Sequence, residues 1–319
     1  MSNYKNVLVV YKKSSLELAQ ENNNQTILKL LEANDPSVAN YQKAHDINKR
    51  TIEKLKDAMP SGGHYFKKVQ FTHRADIETF KKEKFDLVIS VGGDGTFLWA
   101  SKFVGWQTPI LGINSDSERS VGFYTLTDID GIDRLVHDLR ETWWTGTAYV
   151  ERLQIAVNGK KVQGRILNDI LFAASHPAAM TKYSLTAPNQ NGEYVTEEQK
   201  SSGIWISTAG GSTGANLSAG GWILPIEDKR AQYVVREPMK NLVWGSEHKM
   251  IHGFFSSRFY DKNHLPHPEN VQQKLVIVCQ TREAILACDG DTITIPVTIG
   301  DRIEITGDEY LQVLGKKDT

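Results

Sequence analysis

A glycine-rich segment in the first third of the chain combines a carboxylate with backbone groups that can hold an anion. Residues 91–96 read VGGDGT and lie between an apolar run, 85–91, and an apolar helix-like run, 97–104. Glycine permits close backbone approach, and the N-terminus of a helix attracts anions. The pattern favours a phosphate cradle in which Asp94 serves a metal or a nucleophilic hydroxyl. The alternative is a tight strand-to-helix turn capped by Asp94.

A second glycine-rich segment, TAGGSTGAN, occupies residues 208–216 and follows the apolar run 204–207. Its hydroxyls and amides are short polar groups that can bind a sugar or a phosphate without steric cost. The alternative interpretation is a flexible loop between two strands.

Two adjacent polar residues, Asn168 and Asp169, interrupt the apolar run 166–172. In a strand, neighbouring side chains point to opposite faces, so at least one of the two points toward the covered face. A buried carboxylate needs partners, and a bound ligand is one way to supply them. A β-bulge or an internal hydrogen bond is the alternative, and for this pair taken alone it is favoured.

In this order and spacing the three segments resemble the NAD kinase family, within the wider group of kinases that share a Gly-Gly-Asp-Gly-Thr motif. Residues 92–96 match that motif, Asn168 and Asp169 look like the family's short Asn-acidic motif, and residues 208–218 resemble its glycine- and threonine-rich motif. The segments 117–120 (SERS), 200–203 (KSSG) and 236–238 (REP) look closest to the mitochondrial-type branch.

The resemblance implies an ATP-dependent transfer of phosphate to the 2′-hydroxyl of the adenosine ribose of NAD(H), which gives NADP(H). Asp94 would be the general base that orients this hydroxyl and accepts its proton. Mg²⁺ would arrive with ATP, without a protein cage of its own. The residues implied in NAD binding are Asp94, Gly95, Asn168, Asp169, Thr213, Gly214, Asn216 and Ser218. Those implied in holding ATP are Gly92, Gly93, Gly95 and Thr96, and Lys12 is either a further phosphate ligand or a solvated lysine.

The chain departs from the family pattern at three positions. Ala215 stands where most members have a tyrosine that packs on adenine, Gly214 stands where alanine is usual, and Ser202 replaces an acidic residue. Trp205 and Trp222 are the two aromatic residues that we consider as replacements for the tyrosine.

The elements that must position these residues change in character along the chain. Before residue 145, short apolar runs at 7–11, 85–91 and 109–113 alternate with helix-like segments, a pattern that predicts a doubly wound parallel sheet. After it, many short β-rich runs follow, with a hairpin signal at Asn158-Gly159 and an irregular region at about 225–270.

The resemblance and the pattern together predict a Rossmann-like α/β N-terminal domain and an all-β C-terminal domain. We expect the first to cover residues 1–140, completed by about 306–319. The second, at 141–305, would bind NAD and form the contacts of a homodimer or higher homo-oligomer. We expect the substrates to bind in the cleft between these domains.

Composition excludes several other classes of protein. The chain has 319 residues with 37 Lys+Arg against 38 Asp+Glu, so it lacks the basic excess of a non-specific nucleic-acid binder. No apolar stretch approaches the roughly 18 residues of a membrane span. Two cysteines without CxxC spacing exclude a disulfide framework and a cysteine-based zinc site. We therefore expect a cytoplasmic protein without a nucleic-acid or membrane partner, and the resemblance implies that its ligands are small nucleotides.

Two other functions remain open at this stage. A lipid kinase of the diacylglycerol or sphingosine type would share the Gly-Gly-Asp-Gly-Thr motif, but the threonine-rich motif around Thr213 favours NAD as acceptor. A non-catalytic NAD sensor would have no need of Asp94 inside a phosphate cradle. The motifs do not distinguish NAD from NADH, or ATP from polyphosphate.

Overall fold

The computed structural model describes residues 4–80, 83–117, 120–141, 146–239, 249–256, 273–290 and 292–315. The chain divides into two compact units. One consists of Met1–Ala148 and Gln312–Lys317, and the other of Tyr149–Leu311 and Asp318–Thr319.

The first unit alternates strands and helices. In chain order its elements are β1 (Asn6–Tyr11), α1 (Ser15–Glu21), α2 (Gln25–Glu32), a 3-10 turn (Pro36–Val38), α3 (Tyr41–Ala58), β2 (Lys68–His73), a second 3-10 segment (Arg74–Phe80), β3 (Leu87–Gly92), α4 (Asp94–Ser101), β4 (Ile110–Asn114), β5 (Thr125–Thr127) and α5 (Ile132–Glu141).

The strands of the first unit form a parallel sheet in the order β2-β1-β3-β4, with β5 beside β4 and Val313 paired in parallel with Ile110. All six residues of β3 are buried, as expected of a strand that is covered on both faces. Side chains of α3 and α5 pack with those of β1 and β3 in one core. The predicted α/β architecture is confirmed.

The order of the strands creates a switch point between β1 and β3. From β1 the chain crosses to β2 on one side, whereas from β3 it crosses through α4 to β4 on the other side. In open parallel sheets, ligands bind outside the carboxyl ends of the strands at such a point. Residues 12, 93 and 115, which follow β1, β3 and β4, therefore lie at the edge formed by the carboxyl ends of these strands.

The second unit is almost entirely β-structure, as predicted. Its elements are β6 (Thr147–Val157), β7 (Lys160–Lys161), β8 (Asp169–Ala174), β9 (Thr181–Pro188), β10 (Tyr194–Ser201), β11 (Gly203–Ser207), α6 (Ala215–Ser218), β12 (Arg230–Arg236), β13 (His252–Ser256), β14 (Lys274–Cys279), β15 (Ala284–Cys288), β16 (Ile293–Val297) and β17 (Arg302–Leu314).

Two groups of antiparallel strands share the core of this unit. One runs β10-β9-β14-β17, with β6 also paired to β17, and the other runs β13-β12-β11-β8-β15-β16. Alternate residues of both, such as Leu185 and Ile277 in the first and Phe172 and Ile206 in the second, are buried in one cluster. The alternation is the pattern of strands that face a core on one side.

The irregular region predicted at about 225–270 is wrong in part, because β12 and β13 lie within it. β12 pairs with β11 on one side and with β13 on the other, and Ala231, Tyr233 and Val235 enter the core. Residues 240–248 and 257–270 of this region lie outside the described residues. Among the helices that the structure describes, each is too short or too polar to span a bilayer.

Candidate functional site

The carboxylate of Asp94 is held in a fixed orientation by two backbone amides. Its Oδ2 accepts a hydrogen bond of 3.0 Å from the N–H of Phe123, and its Oδ1 accepts one of 2.9 Å from the N–H of Tyr124. Asp94 is the first residue of α4 and is half-buried. Because a carboxylate offers about four acceptor positions, two bonds leave capacity for a further donor.

The segment that supplies these amides is itself locked in place. Gly122 has φ +66°, and a Cβ at this position would lie 2.7 Å from Asn114 Nδ2. The ring of Tyr124 stacks on that of Phe97 in α4, with 4.8 Å between centroids and 3° between planes. The orientation of Asp94 therefore depends on a turn that requires glycine at position 122 and on the buried aromatic pair of Phe97 and Tyr124.

The three glycines around Asp94 differ in what surrounds them. A Cβ on Gly92 would collide with the side chain of Thr96, and one on Gly93 would lie 2.6 Å from Ser120 Oγ. A Cβ on Gly95 would meet nothing within 4 Å, and Gly95 is exposed. Packing therefore explains why residues 92 and 93 are glycines. Gly95 lies in the first turn of α4, where its backbone is exposed and no neighbouring atom excludes a side chain. Thr96 is buried beneath this turn.

Lys12 and Ser115 flank the end of β3. The N–H of Lys12 donates to the carbonyl of Val91 at 3.4 Å, and that of Ser115 donates to the carbonyl of Gly92 at 3.3 Å. The structure thus brings Lys12 to the edge that carries the Gly-Asp-Gly turn, where it lines a cavity. Sequence reasoning had singled out Lys12 but not Ser115.

In the second unit, the backbone of Asn168 and Asp169 is organised by a third acidic residue, Asp289. Its carboxylate accepts hydrogen bonds from the N–H groups of Leu167 at 3.1 Å, Asn168 at 2.7 Å and Asp169 at 3.3 Å. Burial raises the pKa of Asp169 to about 6, although a hydrogen bond from the backbone of Gly290 acts in the opposite direction. Asp169 is therefore a carboxylate whose charge is costly unless a further partner is present.

The glycine-rich segment packs directly on this pair. A Cβ on Gly211 would collide with the backbone of Asn168, and one on Gly214 would lie 3.9 Å from Asp169 Oδ2. The N–H of Thr208 donates to the carbonyl of Asn168 at 2.9 Å. Two motifs that are 40 residues apart in sequence are therefore packed against each other within the second unit.

The remaining predicted residues of this segment separate into two groups. Thr213, Gly214 and Ser218 are exposed. Asn216, in α6, is fully buried, and neither polar atom of its side-chain amide has a hydrogen-bond partner among the described residues. The side chain of Asn216 thus lies beneath the surface that Thr213 and Ser218 form.

Ser202 and the two tryptophans considered as replacements for the missing tyrosine have informative surroundings. The hydroxyl of Ser202 donates to the carboxylate of Glu237, which supplies an acidic group at this place from the end of β12. Trp205 is half-buried with the guanidinium of Arg236 6.0 Å from its ring. Trp222 is 62% exposed and lies 6.1 Å from the ring of His252.

Groups of three or more His, Cys, Asp or Glu side chains able to hold a metal ion are absent from the part of the chain that the structure describes. The oxygen donors near the Gly-Asp-Gly turn are Asp94, Ser115 and Asp116, of which Asp94 is bonded to two amides. Such a set suits a metal that arrives with phosphate ligands of its own, rather than one held by the protein alone. Of the branch-type segment 117–120, residues 118 and 119 lie outside the described residues.

Sequence comparisons relate the chain to enzymes that phosphorylate pyridine nucleotides. Residues 7–141 match the family model of the ATP-NAD kinase N-terminal domain. A NADH kinase of Arabidopsis thaliana is 32% identical over 241 residues, which cover 70% of each chain. A probable NADH kinase of Oryza sativa subsp. japonica is 28% identical over 295 residues, 87% of this chain and 84% of the rice protein.

Two solved structures have the same fold. A NAD kinase from Archaeoglobus fulgidus in complex with ATP superposes with a TM-score of 0.58 at 19% identity, covering 98% of this chain and 94% of the archaeal one. The yeast NADH kinase complexed with NADH superposes with a TM-score of 0.62 at 17% identity, covering 99% of this chain and 84% of the yeast one.

Proposed function

The chain belongs to the NAD kinase family, and on that premise we propose how its residues transfer a phosphate from ATP to NAD(H). The acceptor is the 2′-hydroxyl of the adenosine ribose, and the products are NADP(H) and ADP. The observation that carries the proposal is the carboxylate of Asp94, which two backbone amides orient beside an open glycine turn.

Asp94 is the general base. Its free acceptor position takes the hydrogen of the 2′-hydroxyl, and the proton passes to the carboxylate as the ribose oxygen bonds to the γ-phosphorus of ATP. The bond between that phosphorus and the bridging oxygen of ADP breaks in the same transfer. Since such transition states need positioning and charge stabilisation above all, the fixed orientation of Asp94 matters more than an unusual acidity.

The phosphates of ATP lie over the turn at the end of β3. The N–H groups of Gly92, Gly93 and Gly95 face them, and the ammonium of Lys12 offsets their charge. The buried side chain of Thr96 supports the turn from below. Mg²⁺ enters as part of the Mg-ATP substrate, where it neutralises charge on the β- and γ-phosphate oxygens.

NAD(H) is bound by the second unit. Asn168 and Asp169 hold the sugar and the base, and the exposed Thr213, Gly214 and Ser218 line the same surface. Asn216 supports that surface from beneath it, consistent with its burial. Trp222 takes the place of the family's adenine-packing tyrosine, because its ring is the more exposed of the two tryptophans.

We assign donor binding to an N-terminal domain of residues 1–140, completed by about 306–319, and NAD binding to a domain of residues 141–305. A homodimer built on the second unit accounts for exposed apolar residues such as Ile223 and Ile299, at 63% and 60% exposure. Light scattering at micromolar concentration tests this state. The two cysteines, Cys279 and Cys288, are buried thiols rather than a disulfide, which accords with a cytoplasmic location, and cell fractionation tests it.

Incubation of the purified protein with NAD and Mg-ATP tests the activity. We expect equimolar ADP and NADP, with the new phosphate at the 2′ position by ³¹P NMR, and parallel reactions with NADH and with polyphosphate define acceptor and donor. Phosphorylation of diacylglycerol or sphingosine in vesicles, with none of NAD, would contradict the proposal. Binding of NAD without any product would favour a sensor.

A further inference from the structure

A cavity of about 170 Å³ lies within the first unit, where the N-terminal half of α3 passes the ends of β1 and β4. Tyr41 and Asn48 line it from α3, Lys12 from the end of β1, and Ser115 and Asp116 from the end of β4. The cavity is smaller than the roughly 300–1,000 Å³ of pockets that enclose a whole ligand. It therefore suits one part of a larger molecule.

Two buried polar atoms in the wall of this cavity lack partners. Asn48 is 3% exposed and Ser115 is fully buried, yet Asn48 Oδ1 and Ser115 Oγ have no hydrogen-bond partner among the described residues. The amide orientation of Asn48 is fixed, because its Nδ2 donates to the carbonyl of Lys12 at 3.1 Å. Asn48 Oδ1 is thus the amide atom without a partner, and a buried acceptor that lacks a hydrogen bond destabilises the structure.

The cavity adjoins the phosphate cradle. Lys12 and Ser115 are both hydrogen-bonded through their N–H groups to the last residues of β3, from which the Gly-Asp-Gly turn begins. A molecule whose phosphates lie over that turn can therefore place its other end in the cavity. Lys12 and Asp116 bring one charge of each sign to the lining, so the cavity has no net positive charge that would select a second phosphate, and an uncharged polar group suits it.

We propose that this cavity receives the adenine of the phosphate donor and that Asn48 selects it. Asn48 Oδ1 accepts a hydrogen bond from the 6-amino group, Ser115 Oγ bonds to a ring nitrogen, and the ring of Tyr41 packs against the base. The assignment rests on the proposed kinase function and adds to it the residues that recognise the donor. A purine without an amino group at position 6 leaves Asn48 Oδ1 buried and unpaired.

Purine riboside triphosphate provides the test, because it differs from ATP only in lacking the 6-amino group. With the wild-type protein, its KM should exceed that of ATP by at least about tenfold, while the KM for NAD stays the same. In Asn48→Ala, the KM values of the two donors should agree within about twofold. Ser115→Ala should raise the KM for ATP several-fold without changing that for NAD.

Thr51→Val is the matched control. Thr51 lies on the same helix, is fully buried and donates from Oγ1 to the carbonyl of Ile47 at 2.7 Å, but it does not line the cavity. This variant perturbs α3 to a similar degree and should keep the wild-type preference for ATP. Because Asn48→Ala can weaken the fold, the melting temperature of each variant is measured alongside.

Calorimetric binding of ADP and of purine riboside diphosphate separates this inference from the kinase function. Preferential binding of ADP supports the cavity whether or not NADP forms. Equal affinity for the two diphosphates would overturn the assignment of adenine to Asn48 even if the protein makes NADP. A rise in the KM for NAD alone in Asn48→Ala would also overturn it, because the cavity would then hold the acceptor.

Discussion

Asp289 Oδ1 accepts a hydrogen bond of 2.7 Å from the backbone N–H of Asn168, 121 residues away in sequence. The same carboxylate also accepts from the N–H groups of Leu167 and Asp169. Asp289 is 3% exposed and has φ +48°, a conformation that aspartate and asparagine tolerate better than most residues. One carboxylate in a turn between β15 and β16 therefore fixes the backbone that presents the two proposed NAD ligands.

Replacement of Asp289 by Asn should separate the role of its carboxylate as a hydrogen-bond acceptor from its role in the conformation of the turn. Asparagine keeps the positive φ, but its amino group cannot accept a hydrogen bond from a backbone N–H. We expect Asp289→Asn to lower the free energy of unfolding by about 1–3 kcal/mol and to raise the KM for NAD more than that for ATP. Asp301→Asn is the control, because Asp301 also accepts a backbone N–H, from Thr298, but at an exposed position. Equal effects of the two variants would contradict the assignment.

The raised pKa of Asp169 predicts how stability depends on pH. The folded chain retains a proton on this carboxyl up to about pH 6, whereas the unfolded chain releases it near the ordinary value of 3.8. Folded protein therefore loses stability as the pH rises from about 4 to 6. Asp169→Asn does not lose stability in this way. The free energy of unfolding of the variant should therefore exceed that of the wild type by an amount that grows from near zero at pH 4 to about 3 kcal/mol at most at pH 7.

Urea unfolding of both proteins between pH 4 and pH 8 measures this difference. Asp228→Asn should show the opposite sign, because hydrogen bonds from Arg230 outweigh burial and lower the pKa of Asp228. That variant should be less stable than the wild type at neutral pH and should approach it as the pH falls below 4. If the free energies of unfolding of Asp169→Asn and the wild type differ by the same amount at every pH, the pKa of Asp169 is not raised and the prediction is wrong.

Replacement by alanine should have different effects at Gly92 and at Gly95, the glycines on either side of the turn that follows β3. Gly95→Ala places its methyl group in open space, so the melting temperature should stay near that of the wild type while the KM for ATP rises about tenfold or more. Gly92→Ala drives its methyl group into Thr96 and should destabilise the fold by about 1–3 kcal/mol. Steady-state kinetics and thermal unfolding of both variants check the contrast. An unchanged KM for ATP in Gly95→Ala would place the phosphates elsewhere.

The two tryptophans give a further contrast. If Trp222 packs on the adenine of NAD, Trp222→Ala should raise the KM for NAD by about fivefold or more and leave the KM for ATP unchanged. Trp205→Ala removes a half-buried ring beside Arg236 and should lower stability rather than substrate affinity. Titration with NAD should quench tryptophan fluorescence in the wild type and less in Trp222→Ala. Equal quenching in both would rule out Trp222 as the stacking residue.

Much of the fold follows from local pattern. The buried strands β1, β3 and β4 appear in the sequence as continuous β-branched or apolar runs, and the glycine motif marks the turn after β3. β2 has no such run, since its sequence KVQFTH alternates apolar and polar residues and only Thr72 is fully buried. β12 was assigned to a loop because histidines, prolines and aromatics surround it, although its own residues 230–236 read RAQYVVR.

Contacts between distant segments explain what sequence reasoning missed in the site. The amides of Phe123 and Tyr124 carry no side-chain signal, so their bonds to Asp94 appear only in the structure. Asp289 lies in a turn after β15, and the hydrogen bond that it accepts from the N–H of Asn168 joins two neighbouring strands that are 121 residues apart in sequence. Asn48 is a polar residue at helical spacing from Ile52 and Leu55, on the stripe of α3 that is buried, and this spacing is the sequence signal that could have identified it.

The turnover of Asp94→Asn tests the central claim most directly. Asparagine preserves the size of the side chain and removes the base, so kcat should fall about 10²- to 10⁴-fold while the KM values for ATP and NAD change little. Asp86→Asn is the matched control, because Asp86 Oδ2 also accepts two backbone N–H groups, from Lys5 and Asn6, and it has no role in the proposed reaction. It should retain the wild-type kcat. A kcat for Asp94→Asn within tenfold of the wild type would contradict the account.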